Sequence, residues 1–471
     1  MTTPVSGRDA RPRSRVMLPV VALVAAPSWF MLGASTAPPA DAQQPQPPDV
    51  VVILTDDQRF DSLKMMASVR HHLVAEGMTL RRAIVTNPLC CPSRATILTG
   101  RFSHTTGVYT NAPPHGGWEA FRGSESDTIA KALDDAGYRT GLIGKYINGY
   151  GAEMGHVPVG WDRFLANIHP GGYYDYEMFD KHRGLLTFGS DPADYATDVI
   201  RRKAVSFIRG TPTDQPFFLL VTPIAPHDPF TPAPRDVGAF DGAPVRLNLA
   251  INEDVSDKPA HLLRRRTVAE AEIAQRFRRQ WETLLAVDLL VDRVMSALSE
   301  TGRANDTLVI FTSDNGLANG EHRWLGKLVP YEASARVPMV VRYPSAIPAG
   351  TESSALVSNV DIAPTIADFT GVPLSADGVS MAPLLTDQAS SVRSSIVLEH
   401  VVGGIDVPTY CGVRTRSFTF VRYATGEEEL YDLGDDPWQL RNVVASRPNK
   451  ATELRSLTRS LCEPVPPGFS W

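Results

Sequence analysis

The chain of 471 residues is too long for one small core, and its 43% hydrophobic and 21% charged residues are ordinary for a globular protein. A formal net charge of −6, from 46 Lys and Arg against 52 Asp and Glu, excludes nucleic-acid binding driven by bulk charge. Four cysteines, Cys90, Cys91, Cys411 and Cys462, are too few for a disulfide scaffold.

The amino terminus has the pattern of an export signal. Arg8, Arg11, Arg13 and Arg15 precede an apolar run from Met17 to Ser35 and the A-x-A type triplet Ala40-Asp41-Ala42. Residues 1–42 are therefore expected to be a signal peptide, with an uncleaved membrane anchor as the competing reading of so long an apolar run. Pro19 and Pro27 favour removal, and the lack of an Arg-Arg pair favours general secretion. Residues 43–49, rich in Gln and Pro, read as a disordered leader.

The β-branched run Val50–Thr55 then predicts a strand buried on both faces, stopping at Asp56-Asp57. A helical stretch is expected up to Glu76 and another from Pro92 to Leu98. Helices Asp127–Ala136 and Tyr195–Ile208 each precede a buried strand, Thr140–Ile143 and Pro216–Thr222. A long helix is expected over His261–Glu300, and a short strand, Leu308–Thr312, closes at Asp314-Asn315. The Pro- and Gly-rich segments His156–Gly189 and Thr231–Pro259 read as long loops. After about residue 390 short strands are expected at Ser395–Glu399, Gly412–Thr415 and Phe418–Tyr423, with a closing helix at Asn449–Leu461. The fold class is α/β: a large, mostly parallel sheet flanked by helices over 50–390, with a small C-terminal α+β subdomain over 391–471. In such sheets the functional crevice lies at the carboxyl ends of the strands, where Asp56-Asp57 and Asp314-Asn315 stand.

The most informative stretch is Cys90-Cys91-Pro92-Ser93-Arg94, a C-x-P-S-R motif followed by Thr99-Gly100. It resembles the motif of the type I sulfatases, in which the first cysteine is oxidised to formylglycine. The bland reading of two adjacent cysteines is a buried pair of structural thiols. Pro92 suits the first turn of a helix, whose free N–H groups would face the nucleophile, and Arg94 lies about one turn on. The resemblance implies a hydrated aldehyde at Cys90, one hydroxyl attacking sulfur and the other later expelling sulfate. It implies an alkaline-phosphatase-like fold and a calcium site at Asp56, Asp57, Cys90, Asp314 and Asn315. Those hard oxygen donors suit calcium, or magnesium, better than zinc. Singly, each Asp pair would be an exposed turn.

Gly144-Lys145, Ala225-Pro226-His227-Asp228-Pro229 and Gly326-Lys327 resemble further blocks of the family. By that resemblance Lys145 and Lys327 neutralise sulfate oxygens, and His227 binds sulfate and protonates the leaving alcohol. Many sulfatases carry Gly-Lys-x-His; here Lys145-Tyr146-Ile147-Asn148 has no such histidine, so the base for sulfate release is open, and Asn148 can orient but not deprotonate. The Gly-Lys-Tyr-x-Asn and Cys-Cys-Pro-Ser-Arg forms resemble the N-acetylglucosamine-6-sulfatase branch, which points to a sulfated sugar. His322 is a further candidate, a surface histidine being the alternative. Glu429-Leu430-Tyr431-Asp432-Leu433, Asp435-Asp436-Pro437 and Asn442 resemble the family's closing block. In an oxidising compartment Cys411 and Cys462 would form a disulfide, two free thiols being the alternative.

The expectation is thus an exported calcium-dependent sulfatase, acting on a sulfated small molecule or carbohydrate and matured by a formylglycine-generating enzyme. No nucleic-acid partner and no stable membrane association are expected. Phosphonate monoester or phosphodiester hydrolysis is the nearest enzymatic alternative, and a catalytically silent binder of sulfated glycans the alternative of another class.

Overall fold

The hydrophobic pattern of the strands determines how the layers stack. A computed structural model describes residues 19, 20, 22, 47–151, 155–168, 172–403 and 406–471. Apart from residues 19, 20 and 22, the expected export signal lies outside the described residues. No helix among the described residues is long and apolar enough to cross a membrane.

The first eight strands are β1 (Asp49–Thr55), β2 (Met78–Ile84), β3 (Arg139–Gly144), β4 (Arg163–Asn167), β5 (Tyr176–Asp180), β6 (Gly184–Phe188), β7 (Phe217–Thr222) and β8 (Thr307–Ser313). They are followed by β9 (Ala318–Asn319), β10 (Leu325–Gly326), β11 (Arg336–Val337), β12 (Met339–Arg342) and β13 (Thr351–Ser358). All but β9 and β10 join one mixed eleven-stranded sheet in the order β11-β2-β12-β8-β1-β7-β3-β4-β5-β6, with β13 paired to β2. Its five central strands, β8-β1-β7-β3-β4, run parallel. Alternate residues of β1 feed two cores. Val50, Val52 and Leu54 pack with Ala95, Leu133 and Ile366, on helices Cys90–Thr99, Ile129–Asp135 and Ile362–Thr370. Val51 and Ile53 pack with Ile200 and Leu290, on helices Ala196–Arg209 and Glu270–Glu300. Both faces are therefore covered, as a β-branched parallel strand requires.

Four expectations need correction. β1 begins at Asp49, inside the expected leader, because Asp49 is buried against the Arg303 guanidinium at 2.7 and 2.9 Å. The stretch before Glu76 is broken into short turns rather than one helix; Asp288 accepts the Ser68 and Val69 N–H groups at 2.9 Å and sets a new start there. The helix expected from His261 divides into Ala260–Leu263 and Glu270–Glu300, since the Asn252 amide takes both backbone groups of Val268 at 2.7 and 2.8 Å. The segment 156–189 is not a plain loop: it holds β4, β5 and β6. In contrast, 231–259 contains no helix or strand beyond one bridge from Ile251 to Glu321.

The C-terminal sheet is an antiparallel meander, β14 (Ser395–His400), β15 (Tyr410–Thr415), β16 (Phe418–Tyr423) and β17 (Glu428–Asp432), backed by helix Pro448–Leu461. Buried Glu429 on β17 fastens it to the larger body by accepting the Tyr331 hydroxyl at 2.6 Å, and it also accepts the hydroxyl of Tyr423 on β16 at 2.6 Å. A disulfide joins Cys411 on β15 to Cys462 after the last helix, across 51 residues. Replacing both by alanine is expected to cost about 2–4 kcal/mol, read from the urea midpoint of the oxidised protein. Identical unfolding of the two proteins would contradict this.

Candidate active site

β1 and β8 are paired in register, Thr55 beside Ser313, so Asp56-Asp57 and Asp314-Asn315 leave neighbouring strand ends together. Asp57 adopts a φ of 62°, a left-handed conformation that aspartate tolerates better than most residues. The bend lets its N–H donate to Asp314 Oδ1 at 3.2 Å, while its Oδ1 accepts Asn315 Nδ2 and Lys327 Nζ, both at 2.6 Å. Lys145 arrives from the end of β3. A Cβ on Gly144 would lie 2.2 Å from the Thr222 carbonyl, so only glycine permits the close approach to β7 that brings Lys145 in.

Cys90 is the first residue of the wholly buried helix Cys90–Thr99. Pro92 sits in its first turn, where the missing N–H leaves no helical bond unmade. The helix lacks a side-chain cap at Leu89; instead Asn111 Oδ1 accepts the Cys91 N–H at 2.9 Å. Cys90 Sγ lies 3.3 Å from Asp56 Oδ1 and 2.7 Å from Lys327 Nζ. One turn on, Arg94 reaches back: its Nε donates to Asp314 Oδ2 at 2.8 Å, Nη2 to Asp56 Oδ2 at 3.3 Å and Nη1 to the Lys145 carbonyl at 2.8 Å. Lys145 Nζ also donates to Asp56 Oδ2.

Three carboxylates thus meet three permanent cations. Arg94, Lys145 and Lys327 pair Asp56, Asp57 and Asp314, so these carboxylates have cationic partners within the chain itself. Burial pushes the Asp56 carboxyl up, but Lys145, His227, Arg94 and Lys327 outweigh it and hold the group well below the usual range. Asp314 is raised, by burial first and by the neighbouring Asp56 charge. Burial and Asp56 push the Cys90 thiol to about 12, so an unmodified Cys90 is a poor nucleophile near neutral pH.

His227 reaches the same place from the loop after β7. Its Nδ1 lies 2.6 Å from the Asp228 carbonyl and its Nε2 3.6 Å from Asp57 Oδ2. Ligand atoms of Asp56, Asp57, Cys90 and His227 lie within 4.8 Å of one another. Asn315 Oδ1 beside them is buried without a hydrogen-bond partner. Two carboxylates and a free amide oxygen make a donor set that fits a hard divalent cation.

Two candidates stand apart. Asn148 has its Oδ1 buried without a partner, and its backbone N–H faces the Cys91 sulfur. His322 is buried rather than on the surface: its Nδ1 meets Glu253 Oε1 and its ring lies 4.0 Å from that of Tyr331. Burial pushes it down to about 3, so it remains neutral. Asn111, which accepts an N–H from the first turn of the Cys90–Thr99 helix, is not among the residues expected from the sequence; its contact spans 20 residues and no local pattern announces it.

Ammonium, guanidinium, carboxylate and imidazole groups gathered around a buried thiol beside the strand ends suit a hydrolase of charged esters. The chain belongs to the sulfatase family. The sulfatase family model matches residues 48–372, and a model of the N-sulphoglucosamine sulphohydrolase C-terminal region matches 320–463. The chain is 31% identical over 449 residues to the N-acetylglucosamine-6-sulfatase of Homo sapiens, covering 84% of this chain and 81% of that protein. It is 29% identical over 519 residues to the N-acetylglucosamine-6-O-sulfatase of Bacteroides thetaiotaomicron, covering 92% and 90% respectively. A solved protein in complex with its substrate D-glucosamine-2-N,6-O-disulfate superposes with a TM-score of 0.78 at 26% identity, over 89% of this chain and 99% of that one. The activity of this chain is therefore that of a sulfuric ester hydrolase.

Proposed function

We propose that the protein is an exported hydrolase of sulfated sugars that uses a formylglycine at position 90 and a bound calcium or magnesium ion. The observation that carries this is Cys90 at the start of a buried helix, 3.3 Å from Asp56 and 2.7 Å from Lys327. When present, the hydrated aldehyde supplies one hydroxyl for attack on sulfur and a second for sulfate release, and the cation supplies positive charge to the sulfate oxygens.

The chain's own groups do the rest. Asp56, Asp57, Asp314 and Asn315 are the residues that would hold the cation beside position 90. Lys327 and Lys145 take sulfate oxygens as the ester enters, exchanging part of their contact with Asp57 and Asp56 for the substrate anion. Arg94 fixes the Asp56 and Asp314 carboxylates by its forked contacts. The Asp228 carbonyl accepts Nδ1–H of His227, which leaves Nε2 facing the site, placed to serve the leaving oxygen. The glucosamine-sulfate enzymes among its relatives support a sulfated amino sugar as substrate. The buried disulfide supports an oxidising, extracytoplasmic location. A formylglycine-generating enzyme is the maturation partner; neither nucleic acid nor a stable membrane contact is part of this function.

The test is mass spectrometry of the peptide containing Cys90, with turnover of N-acetylglucosamine-6-sulfate and of matched aryl sulfate and aryl phosphonate esters. Conversion of the thiol to an aldehyde and preference for sulfate are expected. An unmodified thiol in active protein, or higher kcat/KM on phosphonate, would refute the proposal. Removal of divalent ions by a chelator is expected to lower kcat at least about 10²-fold, with recovery on adding calcium. Undiminished turnover after chelation would rule the cation out.

A further inference from the structure

A second concentration of positive charge lies where the edge of the large sheet meets the turn between β15 and β16. Arg81 and Arg82 from β2, Arg336 from β11, and Arg414 and Arg416 from the C-terminal sheet line a cavity of about 270 Å³. Glu332 is the one carboxylate in its wall. It is committed to Arg414, whose Nε donates to it at 2.8 Å, and stands 3.7 Å from Arg336. Arg81 is paired outside the wall with Glu352. The positive charge therefore exceeds the negative in a chain whose overall charge is −6.

Several donors in this cavity are unused. Arg336 Nε is buried without a hydrogen-bond partner, its guanidinium stacked 4.2 Å from the Phe60 ring. Arg416 is exposed and has no hydrogen bond or ion pair among the described residues. Arg82 uses one nitrogen, on the Ser354 carbonyl at 2.9 Å. Like charge from neighbouring arginines adds to burial in pulling both Arg82 and Arg336 below the usual arginine range. Planar guanidinium groups are suited to forked recognition of sulfate or carboxylate oxygens. A larger groove of about 710 Å³, which shares Ser354 and Arg416 with this cavity, continues along β13 and is lined mainly by hydroxyl-bearing and apolar residues.

We infer that this arginine cavity is a second anion-binding site, which takes one acidic group of a sulfated glycan chain while the adjoining groove takes neighbouring sugar rings. It shares no residue with the candidate active site, so it would hold a polymer to the enzyme without taking part in turnover. The choice of a glycan rests on the proposed function; the anion site itself rests on the arginines alone. An acidic protein segment is the competing occupant, disfavoured by a cavity whose size suits a single charged group and by the hydroxyl-rich groove beside it.

The experiment measures binding of a heparin-derived hexasaccharide to the full oxidised chain by calorimetry, for the wild type, Arg416→Glu and Arg82→Gln. Melting temperature and kcat/KM on a small aryl sulfate are recorded for each. Arg416→Glu is expected to weaken hexasaccharide binding at least about tenfold and Arg82→Gln severalfold, with melting temperature and aryl sulfate turnover unchanged. Equal binding by all three proteins would overturn the inference. So would equal binding of a desulfated chain or tighter binding of a polyglutamate peptide. Because turnover is measured separately on a small ester, failure of the sulfatase reading appears as lost turnover and failure of the second site as unchanged binding.

Discussion

Cys90→Ala is expected to reduce sulfate ester turnover by about 10⁴- to 10⁶-fold while leaving the fold intact. The side chain is buried, and the change removes one sulfur atom from a position whose neighbours are Asp56 and Lys327. The lost packing should cost about 1 kcal/mol, small beside the stability of a typical domain. The loss of rate has a different origin: no other nucleophile is placed against the cations that would hold the sulfate. Cys91, its neighbour, cannot substitute. It packs in the core with Ala95 and Leu98, and burial pushes its thiol up to about 12. Cys90→Ser, made in a host without the modifying enzyme, separates attack from release. Its single hydroxyl can be sulfated once but has no geminal partner to expel sulfate, so at most one alcohol per protein molecule should appear. The measurement is a pre-steady-state assay on an aryl sulfate, with the melting temperature as control. Continued turnover by the alanine protein would show that position 90 is not the nucleophile.

Much of this site was legible because its residues sit where strands end. Val50–Thr55 and Leu308–Thr312 announced two buried strands by continuous apolar and β-branched runs, and the polar pairs that follow them, Asp56-Asp57 and Asp314-Asn315, are brought together by register. The motif at Cys90 carried its own helix start. The edges of the sheet were harder to read. β4, β5 and β6 lie between glycine- and proline-rich turns, and their pairing is supplied by neighbours, as in the Met178–Leu186 register. The division of the helix after His261 depends on Asn252, which lies 16 residues away and satisfies Val268 on both sides. Charge was the least legible property. The sequence offers six ionic groups for the site, Asp56, Asp57, Asp314, Arg94, Lys145 and Lys327, but no local pattern shows that the lysines lie against Asp56 and Asp57. His322 illustrates the same limit, since its partner Glu253 comes from a segment with no regular structure.

Arg94→Ala is expected to destabilise the protein by about 3–5 kcal/mol, the range for breaking a buried ion pair from one side. Arg94 is fully buried and makes three contacts that no single neighbour can replace, to Asp314, Asp56 and the Lys145 carbonyl. Its removal takes away the ion pair of Asp314 and leaves the more distant Lys145 charge, while burial and the nearby Asp56 charge already raise that carboxyl. The pH dependence follows. A carboxyl whose folded pKa is raised costs stability as pH climbs above its unfolded value, and without Arg94 that cost grows. Asp56 is depressed in the wild type, so its contribution is present above the unfolded value and is lost as pH falls through its low folded pKa. Both effects make the gap between wild type and variant full near pH 7 and narrower near pH 4, as urea unfolding at the two pH values would record. A gap independent of pH would mean that Arg94 stabilises by packing rather than by charge. Arg94→Lys keeps the charge but not the fork, and one ammonium cannot serve three acceptors spread across two strand ends and a loop. It should recover part of the stability and little of the activity, because Asp56 and Asp314 must be held in fixed orientation around position 90. Near-complete recovery of kcat by lysine would show that net charge, rather than orientation of the two carboxylates, is what Arg94 provides.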